Sequence, residues 1–358
     1  MQSKIARTFI YKKMRHQFLY FRLLLVFVFM QTIAMQAETS RDSISYVPEV
    51  HGVIRGRWEL ETQDGYSHFQ VRNARVSIEG YAAPIITYKI NSDFCDRGKI
   101  MLLDAYATVM PLKGLDILLG QYRMPFGIES FRGPGGYYFN NRSYIGKNVN
   151  NYRAVGLSVG YTLPKLPLSV EGGIFNPTEM DDHTTWVKKY AYAARIIYRP
   201  KNWLFATGFE SIRPSTIRIN LVSATLGWIY NRFYVEGEYM VRCYTHNSHK
   251  TTQAYNIFAN YDFHLKKGLF DNISVQARFD GMSDLANGIE FVSDNNSKLE
   301  TTANGRRRVT VGGTLDYKYK RLRAAVRLNF EKCWYNHKIE KINRGAGDML
   351  SAELIVKF

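Results

Sequence analysis

Residues 349–358 read MLSAELIVKF, a short alternating strand that ends on an aromatic. Leu350, Ala352, Leu354, Val356 and Phe358 fall on one face, Glu353 and Lys357 on the other. A strand sends successive side chains to opposite faces, so this decapeptide is a strand with an apolar side and a polar side. The same two-residue period recurs upstream. Gly52 to Glu61 sets Ile54, Trp58 and Leu60 against Arg55, Arg57, Glu59 and Glu61, and the stretches 155–161, 190–198, 255–263, 273–279 and 322–330 repeat the scheme. Each segment is roughly 9 to 12 residues, the length a tilted strand needs to cross a hydrocarbon layer.

A soluble sandwich also alternates, so the connections must separate the two cases. The pattern predicts about 16 strands, with tight connections near 82–84, 111–114, 163–167, 199–202, 230–232, 265–272 and 318–321. Long polar connections lie between them, notably 123–152, 177–188, 282–307 and 332–348. Strict alternation of tight and long connections, an even strand count and aromatic residues at strand ends are what antiparallel transmembrane β-barrels show. The expected fold class is therefore all-β, a transmembrane antiparallel barrel with short periplasmic turns and long outer loops. Two segments fit poorly. Phe69 to Ile78 switches face near Asn73, which suggests a bulge, and Leu115 to Leu119 is apolar on both sides.

The N-terminus supports export. Lys4, Arg7, Lys12, Lys13, Arg15 and Arg22 precede the apolar run Leu23 to Met30, and Ala34-Met35-Gln36-Ala37 follows. This reads as a secretory signal peptide over 1–37 cut after Ala37, with translation starting at Met1 or Met14. A short segment, 38–49, then leads into a barrel over 50–358. Removing the six basic residues leaves 42 Lys and Arg against 31 Asp and Glu, a net of +11 instead of +17. Cys95, Cys243 and Cys333 are an odd number for an exported chain and are expected to form no disulfide framework.

Several stretches resemble the family of phosphate-selective porins O and P of Gram-negative outer membranes. The most specific is GLDILLGQYRMPFGIES, Gly114 to Ser130; weaker echoes are RNARVSIEG from Arg72, LLDAYATV from Leu102, EGGIFNP from Glu171 and VEGEY from Val235. The strand ending at Phe358 also resembles the signal that the barrel-assembly machinery recognises. The family resemblance implies a homotrimer of 16-stranded barrels in outer-membrane lipid, passing small anionic or polar solutes, with phosphate as one candidate. It also implies a third outer loop folded into the channel, here about 123–152.

If the apolar faces meet lipid, the lumen receives Arg55, Arg57, Arg75, Arg195, Arg278, Arg323, Arg327 and Lys357 as pore-lining, anion-attracting groups. A charge on the lipid face costs about 2 to 4 kcal/mol at mid-membrane, which fixes the direction of the assignment. Glu59, Glu79, Asp104, Glu171, Glu236, Glu238, Glu331 and Glu353 face inward by the same rule, so much of the lining should pair. Arg123, Arg132, Arg142 and Lys147 are the candidate cations of the constriction loop.

Other motifs carry less. Gly156-Leu157-Ser158-Val159-Gly160 matches a nucleophile elbow but lies inside an alternating segment with no following helix. His246 and His249 near Cys243, and Asp181-Asp182-His183, lack a complete ligand set for a metal. Arg306-Arg307-Arg308 on an exported chain is no nucleic-acid signature. The sequence thus predicts no enzyme, no cofactor, no metal and no nucleic-acid partner. The alternative is a barrel with an adhesive, scaffolding or phospholipase-like role.

Overall fold

The computed structural model describes residues 44–96, 99–150, 152–177, 186–265, 268–292, 295–339 and 342–358. The expected signal peptide and the 181–183 cluster lie outside them. The first strands are β1 (Glu49–Glu61), β2 (Ser67–Ala83), β3 (Ile86–Asp96), β4 (Lys99–Leu112), β5 (Leu115–Arg123) and β6 (Arg153–Thr162). Then come β7 (Leu168–Phe175), β8 (Ala191–Tyr198), β9 (Trp203–Ile212), β10 (Ile219–Tyr230), β11 (Phe233–Tyr244), β12 (Thr252–His264) and β13 (Asn272–Met282). A small hairpin, β14 (Phe291–Val292) and β15 (Asn295–Leu299), interrupts the next outer loop. The last three are β16 (Arg306–Tyr319), β17 (Leu322–Tyr335) and β18 (Met349–Lys357).

All but β14 and β15 form one closed antiparallel barrel of sixteen strands, in which β1 pairs with β18 from Val53↔Lys357 to Glu61↔Met349. Closure matters because hydrocarbon offers no partner to an open sheet edge. The pleat follows the sequence period: in β18, Leu354 is 53% exposed on the lipid face while its neighbour Glu353 is 2% exposed inside. The tight turns fall where expected. Two of them are two-residue hairpins, Asn231-Arg232 and Lys320-Arg321, whose first residues take left-handed φ of 51° and 53°, the twist such hairpins need.

Strict alternation of connection lengths does not hold. Asp96 pairs directly with Lys99, so the second outer connection is only residues 97–98. The bulge in β2 is present: Arg55 pairs with Asn73 and Gly56 with Val71, leaving Arg72 unmatched, so the lipid face shifts by one residue there. The doubly apolar stretch of β5 also has a cause. Leu118 packs against an apolar cluster inside the barrel that includes Tyr122, Met124, Phe126, Ile145, Val149 and Phe175. A strand facing lipid on one side and this cluster on the other is apolar on both. The three cysteines are unpaired and lie at the outer ends of β3, β11 and β17.

Candidate functional site: the channel and its third loop

The described residues of the loop between β5 and β6, 124–150 and 152, lie within the barrel. A chain segment brought inside must find partners for its backbone groups, and the wall provides them. Glu238 accepts from the amides of Ile128 (2.8 Å) and Glu129 (2.9 Å), Asp280 from Tyr144 (2.9 Å), and the Asn329 side chain from Asn140 (2.6 Å). Wall arginines donate to loop carbonyls: Arg55 to Asn140 (2.7 Å), Arg195 to Gly127 (3.1 Å), Arg278 to Asn141 (2.8 Å) and Arg308 to Arg142 (2.8 Å). Gly127 has φ +69°, and a Cβ there would sit 2.6 Å from the Met240 methyl, so the close approach to the wall requires glycine.

Inward carboxylates gather the arginines. Glu353 receives Arg55 at 2.8 Å and Arg57 at 2.9 Å, with Arg327 at 3.7 Å. Arg57 also pairs with Glu59 at 2.8 Å. Asp280 and Glu331 hold Arg278 and Arg308 at 2.9 to 3.4 Å. Arg75 binds Asp93 (2.8 Å), Arg195 binds Glu171 (3.2 Å) and Arg323 binds Asp316 (2.6 Å). These residues face inward, and all but Arg75 and Arg323 are tied into the wall or the loop at more than one point or under a ring. Arg195, for example, lies 3.8 Å from the Phe131 ring centre. Lys357 is exposed at the inner end, its stem 3.3 Å from where a Cβ on Gly135 would be.

The four loop candidates separate. Arg132 is held between Glu129 (2.6 Å) and Glu236 (2.5 Å), and its charge is pushed toward permanence by those two carboxylates despite burial, so it works as a tether. Arg142 donates to the Ser130 carbonyl at 3.1 Å. Arg123, Arg142 and Lys147 all line the larger cavity. Lys147 has no ion pair among the described residues. Enclosure by the surrounding wall, followed by the charges of Arg308 and Arg306, lowers its ammonium pKa to about 8.

Two principal cavities flank the loop. The outer one, about 770 Å³, is lined by Arg55, Arg57, Arg72, Arg75, Arg123, Arg142, Lys147, Arg153 and Arg242, with Glu59 as its one lining carboxylate among the described residues. The inner one, about 410 Å³, has Asp262, Asp271 and Asp316 beside Lys318, Arg323 and Arg327. Tyr137 lines both. The apolar cluster fills the β5–β13 side, so the outer cavity runs eccentrically along β1 to β4.

Sequence reasoning left out Arg72, Arg153 and Arg242. Arg72 sits in the bulge, where the two-residue period breaks. Arg153 shares parity with lipid-facing Leu157, yet it reaches Asp104 at 2.7 Å because it lies at the strand's outer end. Arg242 has inward parity, so its signal was present; it bridges the Val149 carbonyl (3.1 Å) to the Ala286 carbonyl (2.9 Å) and so joins two outer loops. Of the motifs set aside, Gly156 to Gly160 is a run of β6, and no metal-ligand cluster occurs among the described residues.

Comparison with solved structures finds the same barrel at low identity. OmpT of Vibrio cholerae, in its trimer form, superposes with a TM-score of 0.56 at 9% identity, covering 87% of this chain and 98% of that one. An anion-selective porin from Comamonas acidovorans gives 0.56 at 11% identity, over 87% and 98%. OmpF of Salmonella typhi, in complex with daunomycin, gives 0.56 at 14% identity, over 87% and 97%. At these identities the likeness establishes the fold. No curated protein sequence matches the chain. The family model described as phosphate-selective porin O and P matches residues 59–203, a segment that runs from β1 into β9 and contains the whole inward loop. That match covers 145 of the 358 residues and lies in a closed sixteen-stranded barrel, so over this segment the chain is similar to the phosphate-selective porin O and P family.

Proposed function

We propose that this porin is a passive diffusion channel preferring small anions, with no chemical step. The observation that supports it is the outer cavity: nine basic residues line it against one carboxylate. Glu59, Asp93, Asp104 and Glu353 neutralise four of the nine, through Arg57, Arg75, Arg153 and Arg55. Basic side chains thus outnumber carboxylates in the lining. In a low-dielectric channel such a surplus raises local anion concentration and repels cations. Arg55, Arg57, Arg75, Arg123, Arg142 and Lys147 are the proposed anion-attracting group, while Arg195, Arg278 and Arg132 hold the loop in place. Arg323, Arg327 and Lys357 serve the inner end. Phosphate belongs to the class of solute admitted.

The same reading includes a homotrimer, delivery by a signal peptide cleaved after about Ala37, and recognition of the strand ending at Phe358 by the assembly machinery. The test is single-channel current of the refolded protein in a planar bilayer under a salt gradient. An anion-favouring reversal potential with phosphate competing for chloride current is expected. A zero or cation-favouring reversal would remove the preference, and folded barrels that never conduct would favour the adhesive or scaffolding alternative.

A further inference from the structure

The lipid-facing outer rim of β8 to β11 carries cations that the channel does not use. Tyr192, Ser211, Asn220 and Cys243 form one row across this wall, each paired with the next. Below the row the face is apolar, through Phe209, Val222 and Leu226, down to the stacked rings of Trp203 on Phe205 and Trp228 on Tyr230. Such a belt marks the headgroup level of the inner leaflet and identifies a wall that meets lipid. From Asn220 to Tyr230 the strand runs about 34 Å, or about 26 Å across the membrane at a tilt of about 40°, close to the height of the apolar band. The row therefore stands at the level of the outer headgroups.

Arg213 and Arg218 come next outward, at the two ends of a hairpin just beyond the pair Ile212↔Ile219. Arg218 covers Ser211, donating to its hydroxyl at 2.9 Å and to the Tyr190 carbonyl at 3.0 Å, with the Tyr192 ring centre 5.7 Å away. Arg213 donates to the Thr216 carbonyl at 2.9 Å. Neutral acceptors thus fix both guanidinium groups, and neither has an ion pair among the described residues. Exposed Lys188 and Lys189 lead into the same rim, and residues 186–192, 211–220 and 243–250 contain no carboxylate side chain. On β17 the lipid-facing Lys332, by contrast, is neutralised by Asp348. Like charges opposite each other weaken a strand pair, and a shared anion removes that cost.

We propose that this rim binds a phosphate-bearing lipid of the outer leaflet, its phosphate between Arg213 and Arg218 and its acyl chains on the apolar face below. The planar guanidinium fork matches phosphate oxygens. Lys188 and Lys189 add attraction at the membrane surface. The site opens sideways at the headgroup plane, where a lipid reaches both the charges and the wall beneath; a free anion would use only the charges. The proposal rests on the barrel and its orientation and is independent of the anion preference above.

The experiment is the alkylation rate of Cys243, which is exposed and opposite Asn220, by a water-soluble maleimide on the refolded full-length barrel in detergent micelles. Cys95, on β3, serves as the internal reference. Bis-phosphorylated lipid A above its dissociation constant should slow Cys243 about threefold or more and leave Cys95 unchanged, whereas dephosphorylated lipid A and inorganic phosphate should slow neither. Arg213→Gln with Arg218→Gln should abolish the protection. Lys113→Gln with Lys165→Gln, which removes the same charge from inner turns, should retain it. Equal protection by dephosphorylated lipid overturns phosphate recognition, protection by inorganic phosphate overturns the lipid as occupant, and equal loss in both double variants overturns the site. Should the arginine variant not fold, the wild-type arms decide the question alone.

Discussion

Gly52 and Phe358 close the barrel as a reciprocal pair. The amide of each donates to the carbonyl of the other, at 2.7 and 3.1 Å, and the Phe358 ring lies where a side chain on residue 52 would be, with ring atoms 2.2 to 2.7 Å from an ideal Cβ. The terminal aromatic therefore covers the first strand as well as ending the last one. Without a Cβ at residue 52, the ring can lie flat across the seam on the lipid face.

Replacing Gly52 by valine should force that ring off the seam. Overpacking of this kind costs about 1 to 3 kcal/mol. The expected result is a lower midpoint in urea and a reduced yield of folded, heat-modifiable barrel in gel electrophoresis. Phe358→Ala combined with Gly52→Val should recover much of the midpoint, since the clash is then gone; no recovery would show that the contact does not limit closure.

Glu353 is the hub for Arg55 and Arg57, and its side chain is fully enclosed. Glu353→Gln leaves the buried Arg55 guanidinium without its carboxylate and Arg57 with Glu59 alone, a change of about 3 to 5 kcal/mol where a buried pair is broken. Stability measured by chemical unfolding should drop by an amount in that range. Channels that still form should show a reversal potential shifted further toward anions.

Lys147 gives the anion preference a pH dependence. Its pKa of about 8 means the side chain is charged below that value and neutral above it. Anion selectivity should decline as pH rises from about 7 to 9, whereas Lys147→Arg should hold it level across that window. For stability the sign is opposite to that of a salt-bridged lysine. Between about 8 and the ordinary 10.5 the unfolded chain binds more protons than the folded one, so this contribution to stability rises with pH.

Glu238 anchors the inward loop through two backbone amides, those of Ile128 and Glu129. Glu238→Ala strands both donors, each costing about 1 to 3 kcal/mol when buried unsatisfied. The loop should loosen at that end, seen as increased open-channel noise and a broader spread of single-channel conductance. Unchanged noise would mean that Arg195, which donates to the Gly127 carbonyl at 3.1 Å, suffices to hold it.

Strand number, barrel closure and the lipid-facing surface were legible in the sequence because each depends on a two-residue period that local chemistry imposes. Leu354 must face lipid and Glu353 must not, whatever the rest of the chain does. The bulge at Arg72 was legible for the same reason, as a break in that period. What tertiary structure alone decided is the use made of the inward face. Parity sends Arg55 and Arg278 inside, but only the folded loop determines that Arg55 binds Glu353 and the Asn140 carbonyl, and that Arg278 lies among Asp280, Glu331 and the Asn141 carbonyl. Lys147 and Arg132 look equivalent in sequence. One faces an open cationic cavity and the other is clamped between two glutamates, because pairing depends on residues a hundred positions away that only the closed wall brings within reach.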